Sequence, residues 1–312
     1  MTRQMQEPKQ DTEKLGPLMS AIKAVHHVTG SSSTKPEDLA RQRSSMDLFA
    51  RLVTPLRDIE TENITIGECE AEWVRPAFAH RRRTIVLYCH GGGYTCGSLE
   101  YARILAEKMA VSFGLEVLSF AYRLAPEHPY PAALEDALAV WNDLMLQGYG
   151  ANQVILAGDS AGGNLALTLT LKLKKQGRFL PAALLLMSPW TDMTSSGESY
   201  KTCLKKDPML TPAYIAASKM AYGGAEADFS DPAFSPLFGD LKDLPPVLIQ
   251  VGTNEILRSD SELLHKAIKG QGGYSKLEVY DQCWHVFQQM PVHQAREALI
   301  SMEKFVRSVI DQ

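Results

Sequence analysis

The chain has 312 residues, 45% of them hydrophobic and 22% charged, which is the composition of a globular protein able to bury its own core. Lys plus Arg number 32 against 36 Asp plus Glu, and the net charge of −4 argues against a nucleic-acid or anionic-membrane partner. The longest apolar runs, such as Ala182 to Met187, fall far short of the ~20 residues needed to span a bilayer, so stable membrane insertion is not expected.

Met1 to Lys14 is polar, without the apolar core of a secretory signal. The cysteines (Cys69, Cys89, Cys96, Cys203 and Cys283) form no C-x-x-C pair, and an odd number cannot all pair within one chain. Reduced thiols and a cytoplasmic location are expected. Up to about Leu56 the pattern is amphipathic and helical, broken at Gly16-Pro17 and Gly30 to Ser33, and residues 1–56 read as an N-terminal helical cap segment.

From residue 57 to 312 the pattern is that of an α/β catalytic domain. Ile59 to Ile66 and Glu70 to Arg75 are short β-like runs. Arg83 to Cys89, Leu115 to Tyr122, Val154 to Ala157, Ala182 to Met187 and Val247 to Val251 are unbroken apolar runs, as in parallel strands buried on both faces. A further strand is expected over Lys276 to Asp281. Helical periodicity fills the intervals at Tyr101 to Phe113, Pro131 to Gln147, Ala161 to Gln176, Ser261 to Lys269 and His293 to Val309. Such alternation predicts right-handed βαβ units, a mostly parallel sheet with helices on both faces. Thr191 to Ala233, with a helix-like stretch at Pro212 to Tyr222, departs from it. An insertion over one end of the sheet, packing with the N-terminal helices as a lid, accounts for this.

Gly158-Asp159-Ser160-Ala161-Gly162-Gly163 stands between a strand and a helix. A G-x-S-x-G turn there holds serine in a strained backbone with its hydroxyl above the sheet. Ser160 is therefore the candidate nucleophile. His90-Gly91-Gly92-Gly93 follows the strand ending at Cys89, and glycine amides at a strand end can approach a developing oxyanion. By themselves the glycines would favour a flexible strand–helix connection; their place upstream of Ser160 favours an oxyanion hole made by Gly91, Gly92 and Ala161. His90 is expected to order that loop rather than to act as a base, with Gly93 beside it.

The base and its acid must follow the serine in the order Ser, Asp or Glu, His. His285, after the last expected strand, is the candidate base; His265, within a helix, and His293, at a helix start, read as structural. Glu255, after Val247 to Val251, is the candidate acid. Asp260 is its rival, with an alternative reading as the N-cap of the helix from Ser261; Asp192 and Asp281 are weaker rivals. No H-E-x-x-H, Cys/His spacing or G-x-G-x-x-G is present, so neither metal nor cofactor is expected.

The HGGG and GDSAGG motifs resemble those of the hormone-sensitive-lipase-type carboxylesterases, family IV, of the α/β-hydrolase fold. Tyr122-Arg123-Leu124-Ala125-Pro126-Glu127-His128-Pro129 with Pro131-Ala132, Ser188-Pro189-Trp190-Thr191-Asp192 and His285-Val286-Phe287 carry the resemblance further, over about residues 60 to 310. It implies hydrolysis of short- to medium-chain acyl esters, an eight-stranded sheet, a small helical cap and a possible homodimer through the last strand. It also implies that Tyr94 and Asp159 line or support the substrate pocket. Glu255 departs from the Asp of most members and is similar to a minority subgroup that ends in Trp-His-Val-Phe. A lactone hydrolase or amidase on the same residues, or a non-catalytic small-molecule-binding protein on the same fold, remain the alternatives.

Overall fold

In the computed structural model, which describes residues 33 to 311, the apolar runs form β1 (Ile59–Ile66), β2 (Cys69–Pro76), β3 (Arg81–Cys89), β4 (Leu115–Phe120), β5 (Val154–Asp159), β6 (Ala183–Met187), β7 (Val247–Gly252) and β8 (Ser275–Tyr280). They make one eight-stranded sheet in the order β1-β2-β4-β3-β5-β6-β7-β8. β1, β2 and β4 pair antiparallel, and every pairing from β4 through β8 is parallel. The described helices are α1 (Pro36–Leu52), α2 (Leu99–Phe113), α3 (Ala132–Leu146), α4 (Ala161–Lys175), α5 (Ser199–Thr202), α6 (Pro212–Gly223), α7 (Arg258–Gly270) and α8 (His293–Ile310).

The unbroken apolar character of the central strands has the expected cause. Along β3, Ile85, Leu87 and Cys89 face a core shared with α3, α4 and α7, while Val86 and Tyr88 face one shared with α2 and α8. β5 and β6 alternate in the same way, so each strand is apolar on both sides. Local signals set the helix ends. The Ser98 hydroxyl accepts the Tyr101 N–H (3.2 Å) at the start of α2, and Gly114, with φ +63°, ends it in the left-handed conformation.

The sheet order positions the site. From β3 the chain crosses by α2 to β4 on one side, then by α3 to β5 on the other, so β3 and β5 flank a topological switch point. A crevice opens there at the carboxyl ends of the strands. Cys89 pairs in register with Gly158, and the segments leaving both strands therefore emerge side by side.

Several expectations are adjusted. The strand expected to reach Tyr122 ends at Phe120, because Tyr122 turns away and donates its hydroxyl to the His90 carbonyl (2.7 Å). The helix expected from Ser261 begins at Arg258. The excursion between β6 and β7 runs past Ala233: Phe234, Leu237, Leu241 and Leu244 are buried against the core before the chain enters β7, and Pro245-Pro246 cannot donate to a ladder. The helical breaks expected before residue 33 lie outside the described residues. All five cysteines are buried and unpaired. No described helix is long and apolar enough to cross a membrane.

Leu156, fully buried in the middle of β5, tests this core. Leu156→Ala is expected to cost about 3 kcal/mol of stability, read as a lowered urea midpoint with an unchanged slope.

Candidate active site

Ser160 leaves β5 with φ +53° and ψ −121°, a conformation that side chains rarely adopt, and α4 starts at the next residue. The turn is held on all sides. Ser160 N–H donates to the Met187 carbonyl (3.0 Å), and the Ser160 carbonyl accepts from Trp190, Gly163 and Asn164. A methyl group at Gly158 would strike the backbone of Gly162, and one at Gly162 would strike the carbonyls of Cys89 and His90. Only glycine lets α4 approach β3 this closely.

His285 comes from the segment after β8. Its Nε2 lies 2.9 Å from the Ser160 hydroxyl and its Nδ1 lies 3.0 Å from Glu255 Oε2. The segment is pinned on both sides of the histidine, because Trp284 and Phe287 are fully buried in a cluster with Met290 and Ala298. Burial disfavours the imidazolium, but the hydrogen bond and charge of Glu255, helped by the charges of Asp207 and Asp159, outweigh it. The net effect raises the His285 pKa above 6.5.

Glu255, at the end of β7, has its second oxygen occupied by the Ser188 hydroxyl (2.9 Å) and the Gly252 N–H (2.6 Å). The Ser188 oxygen in turn accepts the Val286 N–H (3.1 Å), tying the acid and histidine segments together at the end of β6. Glu255 is thus held in one orientation.

The glycine segment departs from expectation at one residue. The Gly91 N–H donates to Asp159 Oδ1 (2.8 Å), which also accepts the Tyr88 hydroxyl (2.5 Å). Gly91, expected among the oxyanion donors, is therefore already committed, because the carboxylate next to the serine needs donors once it is buried. That burial still pushes the Asp159 pKa up to about 6. The N–H groups of Gly92, Gly93 and Ala161 have no acceptor among the described residues. Gly92 and Gly93 line the cavity that reaches Ser160.

His90 is held within the segment. Its Nδ1 lies 2.7 Å from the Gly91 carbonyl and its ring stacks on Tyr122 at 4.3 Å. Burial lowers its pKa to about 4, so it is neutral near pH 7. Tyr94 supports the segment without lining the cavity, donating to Asn164 Oδ1 (2.7 Å) and stacking on Tyr222 at 3.7 Å. The cavity measures about 420 Å³. Its wall is mainly apolar, with Met46, Leu48, Phe49 and Leu52 from α1, Met209, Leu210 and Tyr214 from the β6–β7 crossover, and Val286 and Met290.

A family model described as the alpha/beta hydrolase fold matches residues 86–289. The solved structure of an esterase from the bacterial hormone-sensitive lipase family superposes with a TM-score of 0.88 and 33% identity, over 94% of this chain and 98% of that one. The chain belongs to the hormone-sensitive-lipase-type α/β-hydrolases. It is also similar to an acetyl-hydrolase of Streptomyces hygroscopicus (38% identity over 83% of this chain and 84% of that protein) and to an esterase of Acinetobacter venetianus (32%, 93% and 95%).

In this α/β-hydrolase the rivals of Glu255 are engaged elsewhere. Asp260 is buried and accepts the Thr191 and Asp192 N–H groups (2.9 and 2.8 Å); since α7 begins at Arg258, it does not act as that helix's N-cap. Asp192 accepts from Thr194 and Ser196, and Asp281 from the Thr253 hydroxyl. His265 bonds the Ser275 hydroxyl, and His293 is exposed beside Glu297.

Two supporting residues were not singled out from the sequence. Asp207 accepts the N–H groups of Met209 and Leu210 (2.8 and 2.9 Å) and, from across the fold, that of Ile256 (2.8 Å). It joins the cavity wall to the segment carrying Glu255, and burial pushes its pKa up to about 6. Its local signal is an Asp-Pro pair, a turn starter. Lys108, from α2, donates to the carbonyls of Gln288 and Gln289 (2.9 and 2.7 Å) and has no local signal.

Asp260→Ala would strip two buried amides of their acceptor. A loss of about 2 kcal/mol in chemical denaturation is expected, with the turnover of the folded fraction retained.

Proposed function

We propose that this α/β-hydrolase is a serine carboxylesterase that works through an acyl-enzyme. The observation that carries the reading is the continuous chain Glu255–His285–Ser160, with contacts of 3.0 and 2.9 Å. Glu255 accepts a hydrogen bond from Nδ1–H without taking its proton, which leaves the Nε2 lone pair free to take the proton of Ser160 as its hydroxyl attacks an ester carbonyl. The N–H groups of Gly92, Gly93 and Ala161, at the positive end of α4, receive the oxyanion. Imidazolium then protonates the departing alcohol, and water repeats the sequence on the acyl group. Asp159 holds the glycine segment through Gly91 rather than taking part in proton transfer.

The small apolar cavity suits short- to medium-chain acyl groups, with α1 and the β6–β7 crossover as the cap above it. Five buried, unpaired cysteines favour the cytoplasm. β8, an edge strand, is the surface through which two copies would pair.

Ser160→Ala is expected to abolish both the burst and the turnover of a p-nitrophenyl butyrate assay; hydrolysis at the original rate by that variant would overturn the reading. Glu255→Ala should lower kcat by about 10³-fold or more. The general base must be neutral, so activity is lost as pH falls through its raised pKa. The acid limb of kcat/KM is therefore expected above pH 6.5, and Glu255→Gln should move that limb to lower pH.

A further inference from the structure

The Gly92 carbonyl accepts two N–H groups, from Thr95 (3.1 Å) and Cys96 (2.9 Å). A trans peptide group points its C=O and N–H in opposite directions. Fixing the Gly92 carbonyl therefore fixes the direction of the Gly93 N–H, one of the amides left without an acceptor among the described residues. The Cys96 N–H belongs in turn to the peptide group whose carbonyl is that of Thr95, and that carbonyl accepts Nε of Arg43 at 2.8 Å. Guanidinium, peptide 95–96 and peptide 92–93 thus line up head to tail, with the free Gly93 N–H at the far end. A cation at the carbonyl end of such a series draws electron density from each N–H beyond it and strengthens the hydrogen bond made by the last.

Arg43 is placed to act in this way. It pairs with Glu127 through two bonds of 2.8 Å and donates to the Ala125 carbonyl at 3.2 Å, so all its contacts fix one orientation. Ala125 N–H returns to the Tyr94 carbonyl (2.8 Å), closing the clamp around the same turn. Asp47, one helical turn along α1, accepts the Ser98 hydroxyl (2.6 Å) just beyond it. The guanidinium does not line the cavity.

We propose that Arg43 is a positioning residue of the oxyanion site, which aims and polarises the Gly93 N–H through two intervening peptide groups. The proposal rests on Ser160 and the Gly93 amide acting as described above. It gives α1 a second role besides walling the cavity, because the same helix sets the strength of the oxyanion donors.

The test compares Arg43→Ala, Arg43→Gln and Arg43→Lys with Arg41→Ala, a surface control on the same helix whose side chain is 74% exposed. Folding is checked by thermal melting. Arg43→Ala is expected to lose about tenfold or more in kcat, with KM changed less than about twofold. The Ki of a trifluoromethyl ketone, which forms an oxyanion on the serine, should rise by the factor by which kcat/KM falls. Arg43→Gln, which keeps a neutral donor and hence the turn, should lose several-fold in kcat, and Arg43→Lys should recover most of it. In infrared difference spectra the acyl-enzyme carbonyl stretch should move to higher frequency in the Ala and Gln variants, the mark of a weakened donor. Folded Ala and Gln variants with unchanged kcat and stretch, or a loss confined to KM, would overturn the role of Arg43. Ser160→Ala run alongside separates the two readings: if it still hydrolyses ester, the nucleophile assignment fails, whereas an inactive Ser160→Ala beside fully active Arg43 variants removes only the inference about Arg43.

Discussion

The close approach of α4 to the end of β3 is the contact on which the site depends. Gly162 sits against the carbonyls of Cys89 and His90, where no side chain could fit. That approach brings the amide end of α4 beside the glycine segment, and it forces the one residue between β5 and α4 into a positive φ. The strain at Ser160 is sustained because Met187, at the end of β6, holds its N–H, Trp190 just beyond that strand bonds its carbonyl, and Gly163 and Asn164 bond the same carbonyl from within α4. A hydroxyl on so constrained a turn has little freedom of position, which suits a group that must meet both an imidazole and a carbonyl carbon.

Around that contact the site is spread over the carboxyl ends of β3, β5, β6, β7 and β8. Buried carboxylates do much of the joining. Asp159 gathers the Tyr88 hydroxyl and the Gly91 amide, Asp207 gathers three amides from two segments, and Asp260 gathers two. Each stands in a place where its charge is disfavoured by burial, so each pKa is raised. Glu255 differs in having an imidazole as one of its partners, which lets it influence a proton that moves. Position relative to the histidine distinguishes the proposed catalytic carboxylate from the structural ones; burial does not.

The motifs legible in the chain were those whose chemistry is local. Gly158 to Gly163 must be a tight strand-to-helix turn because of its own glycines, and His90 to Gly93 must be an open segment for the same reason. The alternation of apolar runs with helical periods was enough to give the sheet class. What escaped was non-local: nothing near Asp207 tells that Ile256 will donate to it, and nothing near Lys108 tells that the carbonyls of Gln288 and Gln289 will face it. The expectation for Gly91 erred for the same reason, since its amide is claimed by a carboxylate far along the chain.

The sequence by itself determined the fold class, the order of the candidate groups and the serine turn, because backbone preference and hydrophobic period are properties of neighbouring residues. Only the tertiary structure decided that Glu255 rather than Asp260 faces His285, that Gly93 replaces Gly91 as a free donor, and that Arg43 reaches the turn at Thr95. Those choices rest on directions in space. A hydrogen bond needs its donor aimed to within a few tens of degrees, and that aim is set by the packing of strands and helices distant in the chain.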